Sequence, residues 1–389
     1  MSRPVPVDII RPMPGPSDSP DPVLIVGAGP AGLATAAELT RRGVPYRLVE
    51  RGATLGHCWE NTYDSLTLHT GKHMSTLPGQ RYPGGTPIFP TRGDFLAYLR
   101  NYANRFGLEV ETGIDVRDVR RDRDDWVAGA HGAELRARSL VIATGIMAKP
   151  VMPRIPGREL FHGEVMHSTE YRRPASFIGK RVLVVGVGNS GGEIGSELAR
   201  AGVKVTVAVR SGANVVPREI AGIPIQYLAY AMRRLPRGAR EWITERVRVL
   251  SERRRGPPVL PRPPWSTLDA IPLIGFHLVD AIRLGIVRVK AAAVEAFTPT
   301  GVRFGDGESA DFDVVIFATG FLPAIDALGA LVRRDERGFA LRSDRVASAD
   351  QPGLFFVGHN YDVTGGLSNI RLDSRIVAAR LAEAHPWRA

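Results

Sequence analysis

Two glycine-rich stretches hold the residues best suited to chemistry in this chain of 389 residues. They are Gly27-Ala-Gly29-Pro30-Ala31-Gly32 and Gly186-Val-Gly188-Asn189-Ser190-Gly191. Each follows a run of aliphatic residues and opens a helical pattern, so each reads as strand, tight turn and helix start. That is the phosphate-binding corner of a dinucleotide fold. The first glycine makes the turn, the second lets a pyrophosphate approach the backbone, and the third lets helix and strand pack closely. Free N–H groups and the helix dipole favour an anion there. At the second corner Asn189 and Ser190 add an amide and a hydroxyl.

The two corners differ in how the following strand ends. Tyr46 to Glu50 closes on an acid about 20 residues past the first glycines, where a carboxylate can bind ribose hydroxyls. Lys204 to Arg210 closes instead on arginine, followed by Ser211. A guanidinium can pair with a 2′-phosphate, so the second corner reads as a site for NADPH rather than NADH.

Composition limits what surrounds these corners. The length suggests two or three domains. One cysteine, Cys58, leaves no internal disulfide and no Cys-x-x-Cys redox pair, which fits a cytoplasmic location and argues against a disulfide reductase. The net charge of +11 comes almost wholly from arginine; it gives no indication of nucleic acid, and anionic cofactors would absorb part of it. No apolar run approaches the roughly 20 residues that span a bilayer. Residues 1–22 are proline-rich and read as a disordered tail. The expected fold is α/β with two Rossmann-like domains. Around the first corner, Phe95, Tyr98, Leu99, Tyr102 and Ala103 recur at helical spacing. Short strands with charged turns follow from Asp115 to Arg138, and Ser139 to Ala143 is a buried strand ending in Ala-Thr144-Gly145. A second buried strand, from Asp313, ends in Ala318-Thr319-Gly320. Near the end, Gly365-Gly366 opens a helix whose positive end can face an anion or ring.

Between the corners lies Phe161-His-Gly-Glu-Val-Met-His167-Ser-Thr-Glu-Tyr171. Its spacing, Phe-x-Gly-x-x-x-His-x-x-x-Tyr, resembles the fingerprint of class B flavin monooxygenases. Gly56-His-Cys58-Trp59, Tyr63 to Pro78, Phe89 to Ala103 and Asn214 to Glu219 are similar to the YUCCA branch of that class. The resemblance implies FAD at the first corner and NADPH at the second. It also implies a NADP domain inserted in a discontinuous FAD domain that carries a β-meander. The FAD domain is expected over residues 23–170 and 300–389, and the NADPH domain over 171–299. A helical basic insertion is expected at about 221–265; it reads as a solvated helical segment, with a cover over the substrate entrance or a membrane contact as alternatives.

Expected FAD-binding residues are Gly27, Gly29, Pro30, Ala31, Gly32, Glu50, Arg51, Cys58, Trp59, Val119, Thr144, Gly145, Gly358 and Gly366. Expected NADP-binding residues are Gly186, Gly188, Asn189, Ser190, Gly191, Arg210, Ser211, Ala318, Thr319 and Gly320. His69, His167, Tyr171 and Arg218 are the expected catalytic group. Within it His167 is expected to govern domain geometry and retention of NADP⁺ rather than to act as a general base. No metal site is expected. The implied chemistry is hydride transfer from NADPH to FAD, then O₂ addition to give a C4a-hydroperoxide. Oxygen would then pass to a nitrogen, a sulfur or a carbonyl carbon of a small molecule, a 2-oxo acid with decarboxylation being one case. The alternatives are a Baeyer–Villiger enzyme, whose fingerprint ends in Trp rather than Tyr171, an NADPH oxidase or electron-transfer reductase, and a non-catalytic dinucleotide sensor. The partners expected are a small-molecule substrate and O₂, with no nucleic acid and no membrane contact, a homodimer being left open.

Overall fold

A computed structural model describes residues 21–384 apart from 131 and 363. It opens with β1 (Asp21–Val26), α1 (Pro30–Thr40) and β2 (Arg47–Glu50). The two strands pair in parallel, Leu24 opposite Arg47 and Val26 opposite Val49. Strand β1 therefore begins inside the tail expected to reach residue 22, and residues 1–20 lie outside the described residues. The turn between strand and helix needs glycine twice over. Gly27 has φ 104°, and a Cβ on Gly32 would lie 1.8 Å from the Gly27 carbonyl oxygen.

The aromatic stripe forms the buried face of α2 (Arg92–Phe106), which starts with reciprocal bonds between Thr91 and Asp94. Next, β3 (Glu111–Thr112) extends the β2 edge. The meander is β4 (Val116–Asp122), β5 (Asp125–Ala130) and β6 (Ala133–Ile142). Strand β6 runs unbroken through Arg138, where the sequence suggested two strands, because no turn residue interrupts it. Its first half pairs with β5, Trp126 opposite Ala137, and its second half lies beside β1, Leu24 opposite Leu140. The meander is thus continuous with the parallel sheet.

From here β7 (Lys149–Pro150) carries the chain to a second sheet. There follow β8 (Glu164–His167), β9 (Arg181–Val185), α3 (Asn189–Arg200) and β10 (Lys204–Ala208). The insertion supplies α4 (Ile225–Met232) and α5 (Arg237–Arg255). Then come α6 (His277–Arg283), β11 (Val287–Lys290), β12 (Val294–Thr298), β13 (Gly301–Phe304), β14 (Ser309–Asp311) and β15 (Val314–Phe317). Five of these strands make an all-parallel sheet in the order β11-β10-β9-β15-β8. Helices α3 and α6 pack on one face, and the antiparallel β12-β13-β14 covers the other through Phe297 and Phe304. Such burial on both faces accounts for the continuous apolar runs of its strands.

The return crossing is β16 (Phe321–Leu322), antiparallel to β7. Strand β17 (Leu354–Phe356) then pairs with the second half of β6, and α7 (Gly366–Ala384) packs on α1. The crossings therefore fall at β7 and β16, which corrects the boundaries expected at 170 and 300. Residues 164–167 and 300–317 belong to the second domain, where Glu164 pairs with Val314 and His167 with Phe317. A buried strand's local pattern does not reveal which sheet it joins; pairing across a long sequence separation decides that.

Candidate active site

One cavity of about 810 Å³ is lined by residues of both domains. This is at the upper end of the roughly 300–1,000 Å³ of small-molecule sites. Around it stand Gly27, Gly29, Pro30, Ala31, Glu50, Arg51, Cys58, Trp59, Val119, Thr144, Gly145, Gly358 and Gly366. Of the residues expected around the first nucleotide, Gly32 alone is set back, held against the Gly27 carbonyl. Helix α7 directs its N-terminal residues Gly366, Leu367 and Ile370 at the same space. A dinucleotide fits the corners on a direct criterion. A Cβ built on Gly29 or Gly188 would meet nothing within 4 Å, whereas one on Gly27 or Gly186 would strike a carbonyl oxygen at 2.6 Å. The space is open where a pyrophosphate would approach and closed where the fold needs contact. Both Glu50 oxygens already accept backbone bonds, Oε2 from Ala28 at 2.8 Å and Oε1 from Gly52 at 2.9 Å. Each retains a lone pair for a ribose hydroxyl.

The second corner meets the cavity less extensively, through Asn189 and Ser190. The Asn189 amide, expected to face a phosphate, is committed elsewhere: its Oδ1 accepts from Ile274 N at 2.8 Å and its Nδ2 donates to Pro272 O at 3.3 Å. Gly191 packs on the Gly186 carbonyl oxygen at 2.1 Å from an added Cβ. Arg210 is exposed and lies beside the Ser211 hydroxyl at 3.3 Å. Ala318, Thr319 and Gly320 stand off the cavity, at the interdomain crossing. There the Thr319 hydroxyl donates to Val151 O at 2.5 Å, and the Thr144 hydroxyl donates to Ala324 O at 2.6 Å. Each Ala-Thr-Gly turn thus holds the opposite linker.

Of the four expected catalytic residues, the cavity contains His69. Burial first, then the charge of Arg218, push its pKa down to about 4, so the ring is neutral at pH 7. The other three lie outside its lining. His167 is buried at the end of β8, its ring edge-on to Phe321 at 5.1 Å and its Nδ1 accepting from Thr169 N at 3.2 Å. It packs on the crossing. Tyr171 is fully buried in the second core and donates to Glu197 Oε2 at 2.8 Å. Arg218 lies 4.0 Å over the Phe89 ring and donates to Leu68 O at 2.8 Å, linking the two domains behind the cavity wall. The sequence places all three near the site, but only packing shows that the Tyr171 hydroxyl, His167 Nδ1 and one Arg218 nitrogen are engaged elsewhere. His167 Nε2 and Arg218 Nε have no partner among the described residues.

The pyridine nucleotide-disulphide oxidoreductase family model matches residues 24–221. The indole-3-pyruvate monooxygenase YUCCA4 of Oryza sativa subsp. japonica is 34% identical over 92% of this chain and 87% of its own. YUCCA1 of the same rice is 38% identical over 77% of this chain and 76% of its own. The chain belongs to the YUCCA-type flavin monooxygenases. A flavin-containing monooxygenase from Stenotrophomonas maltophilia superposes with a TM-score of 0.73, at 25% identity, over 93% of this chain and 98% of that one. The protein is thus a flavin-dependent monooxygenase, an oxidoreductase. The sequence has a single cysteine, so it holds no dithiol pair within the chain.

In this YUCCA-type enzyme the insertion roofs the cavity, as one of the sequence readings allowed. Ile225, Leu228, Ala229 and Met232 of α4 line it, as do Arg240, Ile243, Thr244 and Val247 of α5. Both sets follow i, i+3, i+4, i+7, one face of a helix. That spacing was present in the sequence but masked by the surrounding arginines. Two further residues went unread. Gln226, only 2% exposed, donates to His69 O at 2.6 Å. Glu193 on α3 accepts the Tyr63 hydroxyl and faces His69 Nε2 at 3.6 Å. Burial raises its pKa, while Tyr63, Arg218 and His277 oppose the rise. A glutamate in the first turns of a helix looks like an ordinary dipole partner, so no local signal distinguished it.

Proposed function

We propose that this monooxygenase uses FAD and NADPH to oxygenate a small, largely apolar carboxylic acid, with 2-oxo acids as the leading class. The reading rests on one observation: a single cavity touches both glycine corners and is roofed by the apolar stripes of α4 and α5. The Arg240 Nε and Gln226 Oε1 in that roof are buried and have no hydrogen-bond partner among the described residues. A buried donor on a cation is costly unless it is paired. An arginine beside Leu228, Met232, Ile243 and Val247 suits a ligand with an apolar body and an anionic end.

FAD and NADPH, when bound, would supply the redox and oxygen-transfer chemistry. The chain's own residues bind, orient and exclude water. Gly29 and Ala31 would offer backbone N–H groups to the FAD pyrophosphate, Pro30 would start the helix beside it without a donor, and Glu50 would take the ribose. Gly188, Ser190 and Arg210 would hold the NADPH phosphates, Arg210 at the 2′-phosphate. Curated relatives carry the name indole-3-pyruvate monooxygenase, which supports a 2-oxo acid, whose oxygenation would end in loss of CO₂. The test compares aryl-pyruvates, amines and sulfides side by side, with NADPH and ¹⁸O₂. Labelled product with CO₂ release from the oxo acids is expected. Hydrogen peroxide alone with every compound would identify an oxidase instead. Arg240→Met should raise KM for carboxylates about 10- to 100-fold while leaving uncharged sulfides unaffected.

A further inference from the structure

Three side chains of the second domain converge on one dipeptide of the first, Leu68-His69. Arg218 donates to Leu68 O at 2.8 Å, and Gln226 donates to His69 O at 2.6 Å. The third, Glu193, lies 3.6 Å from His69 Nε2 through its Oε1. The backbone of His69 is therefore fixed on both sides, and the remaining freedom is in its ring.

Glu193 itself is held. Its other oxygen accepts the Tyr63 hydroxyl, so Oε1 is the oxygen left for the imidazole. One turn along α3, Glu197 accepts the Tyr171 hydroxyl at 2.8 Å, and the two tyrosine rings lie 6.3 Å apart. Two carboxylates at i, i+4 would repel one another. Here each has a tyrosine donor, one from the first domain and one from the fingerprint segment. Burial raises the Glu193 pKa, and the Tyr63 hydrogen bond with the fields of Arg218 and of His277, at the start of α6, opposes that rise.

A neutral imidazole carries one proton, and its position is set by the partner of the other nitrogen. We propose that Glu193 is a positioning residue that keeps this proton on His69 Nε2, so that Nδ1 faces the cavity as a hydrogen-bond acceptor. At 3.6 Å the contact is too long for a hydrogen bond, but a small rotation of the carboxylate would close it, as happens when catalytic contacts tighten on binding. Because Glu193 rides on the helix opened by the second glycine corner, docking of that domain would set the tautomer of a residue in the first. His69 would accept a hydrogen bond from a bound group only in the docked arrangement.

The tautomer part of the proposal is independent of the cofactor and substrate reading; its kinetic part rests on that reading. The test records two-bond ¹H–¹⁵N spectra of ¹⁵N-histidine-labelled protein at pH 7, with His69→Gln identifying the His69 signals. Wild type should show the Nε2–H pattern. Glu193→Gln should convert it to Nδ1–H or a mixture, because the amide can donate to Nε2. Glu193→Asp should restore part of the wild-type pattern. If Glu193→Gln does not fold, Tyr63→Phe, which releases the carboxylate, should give the same change at smaller size. A pure Nε2–H pattern in every folded variant overturns the proposal. In turnover, Glu193→Gln should lower kcat about tenfold at unchanged KM and shift the pH profile. Parallel pH profiles with altered thermal stability alone would make Glu193 a merely structural residue and also overturn it. Failure of all substrates, with the tautomer change intact, would count against the oxygenase reading instead.

Discussion

The two glycine corners share a sequence pattern but differ in their surroundings. The first lies deep in the molecule. Its helix α1 is buried from Pro30 to Leu39, beneath α2 and α7, and its strand ends in a carboxylate that bonds the backbone on both sides. The second is more open. Its helix α3 packs on α6, and an exposed arginine, Arg210, follows two residues after the end of its strand. A buried corner suits a cofactor that stays in place, and an open one suits a cofactor that enters and leaves. The same turn geometry serves both because the glycines respond to backbone sterics, while retention depends on what covers them.

The largest effects should come from the feature the corners share. Gly32→Ala and Gly191→Ala would place a Cβ 1.8 and 2.1 Å from the backbone oxygens of Gly27 and Gly186. Each should cost about 3 kcal/mol or more in urea unfolding; a loss below about 0.5 kcal/mol at either site would break the structural equivalence. Next come the open positions, Gly29→Ala and Gly188→Ala, where an added Cβ meets nothing in the protein. Apoprotein stability should hold in both. The first variant should be purified without its yellow colour, and the second should stay yellow with a KM for NADPH raised about tenfold or more. Equal loss of colour would show that the corners are not specialised.

Arg210→Glu should shift the NADPH-to-NADH preference about 10- to 100-fold toward NADH, the worth of a charge-assisted phosphate bond. Unchanged preference would mean that another residue reads the 2′-phosphate. The smallest effect concerns acid. Burial pushes His69 down to about 4 and, together with Arg342, His359 down to about 3. Both residues belong to the first domain. The unfolded chain takes up these protons near pH 6.5 and the folded chain does not, so stability is full above pH 6.5 and falls as pH drops toward 4. The slope is about 1.4 kcal/mol per pH unit for each histidine. Thermal unfolding at pH 7 and pH 5 would measure it, and His359→Phe should flatten the slope. Early loss of the second domain instead would reverse the comparison.

Several features were legible without coordinates because they depend on local sterics. The corner glycines, the acid closing one strand and the arginine just past the other, the α2 stripe and the final helix all follow from short-range rules. The Phe161 to Tyr171 fingerprint marked the crossing region, and β8 indeed lies next to it. The burial of Tyr171 and His167 within it was not legible, since it depends on packing between distant segments.

By itself the sequence determined the enzyme family and the two glycine corners. Tertiary structure alone decided which sheet receives β8 and β15, that the basic insertion presents apolar faces to the cavity, and that Glu193, Gln226 and Arg218 meet at His69. Turns and helix faces are set by neighbours a few residues away. A cavity and its hydrogen-bond partners are assembled from segments far apart in the chain, and which polar atoms remain free is known only once every other atom has been placed.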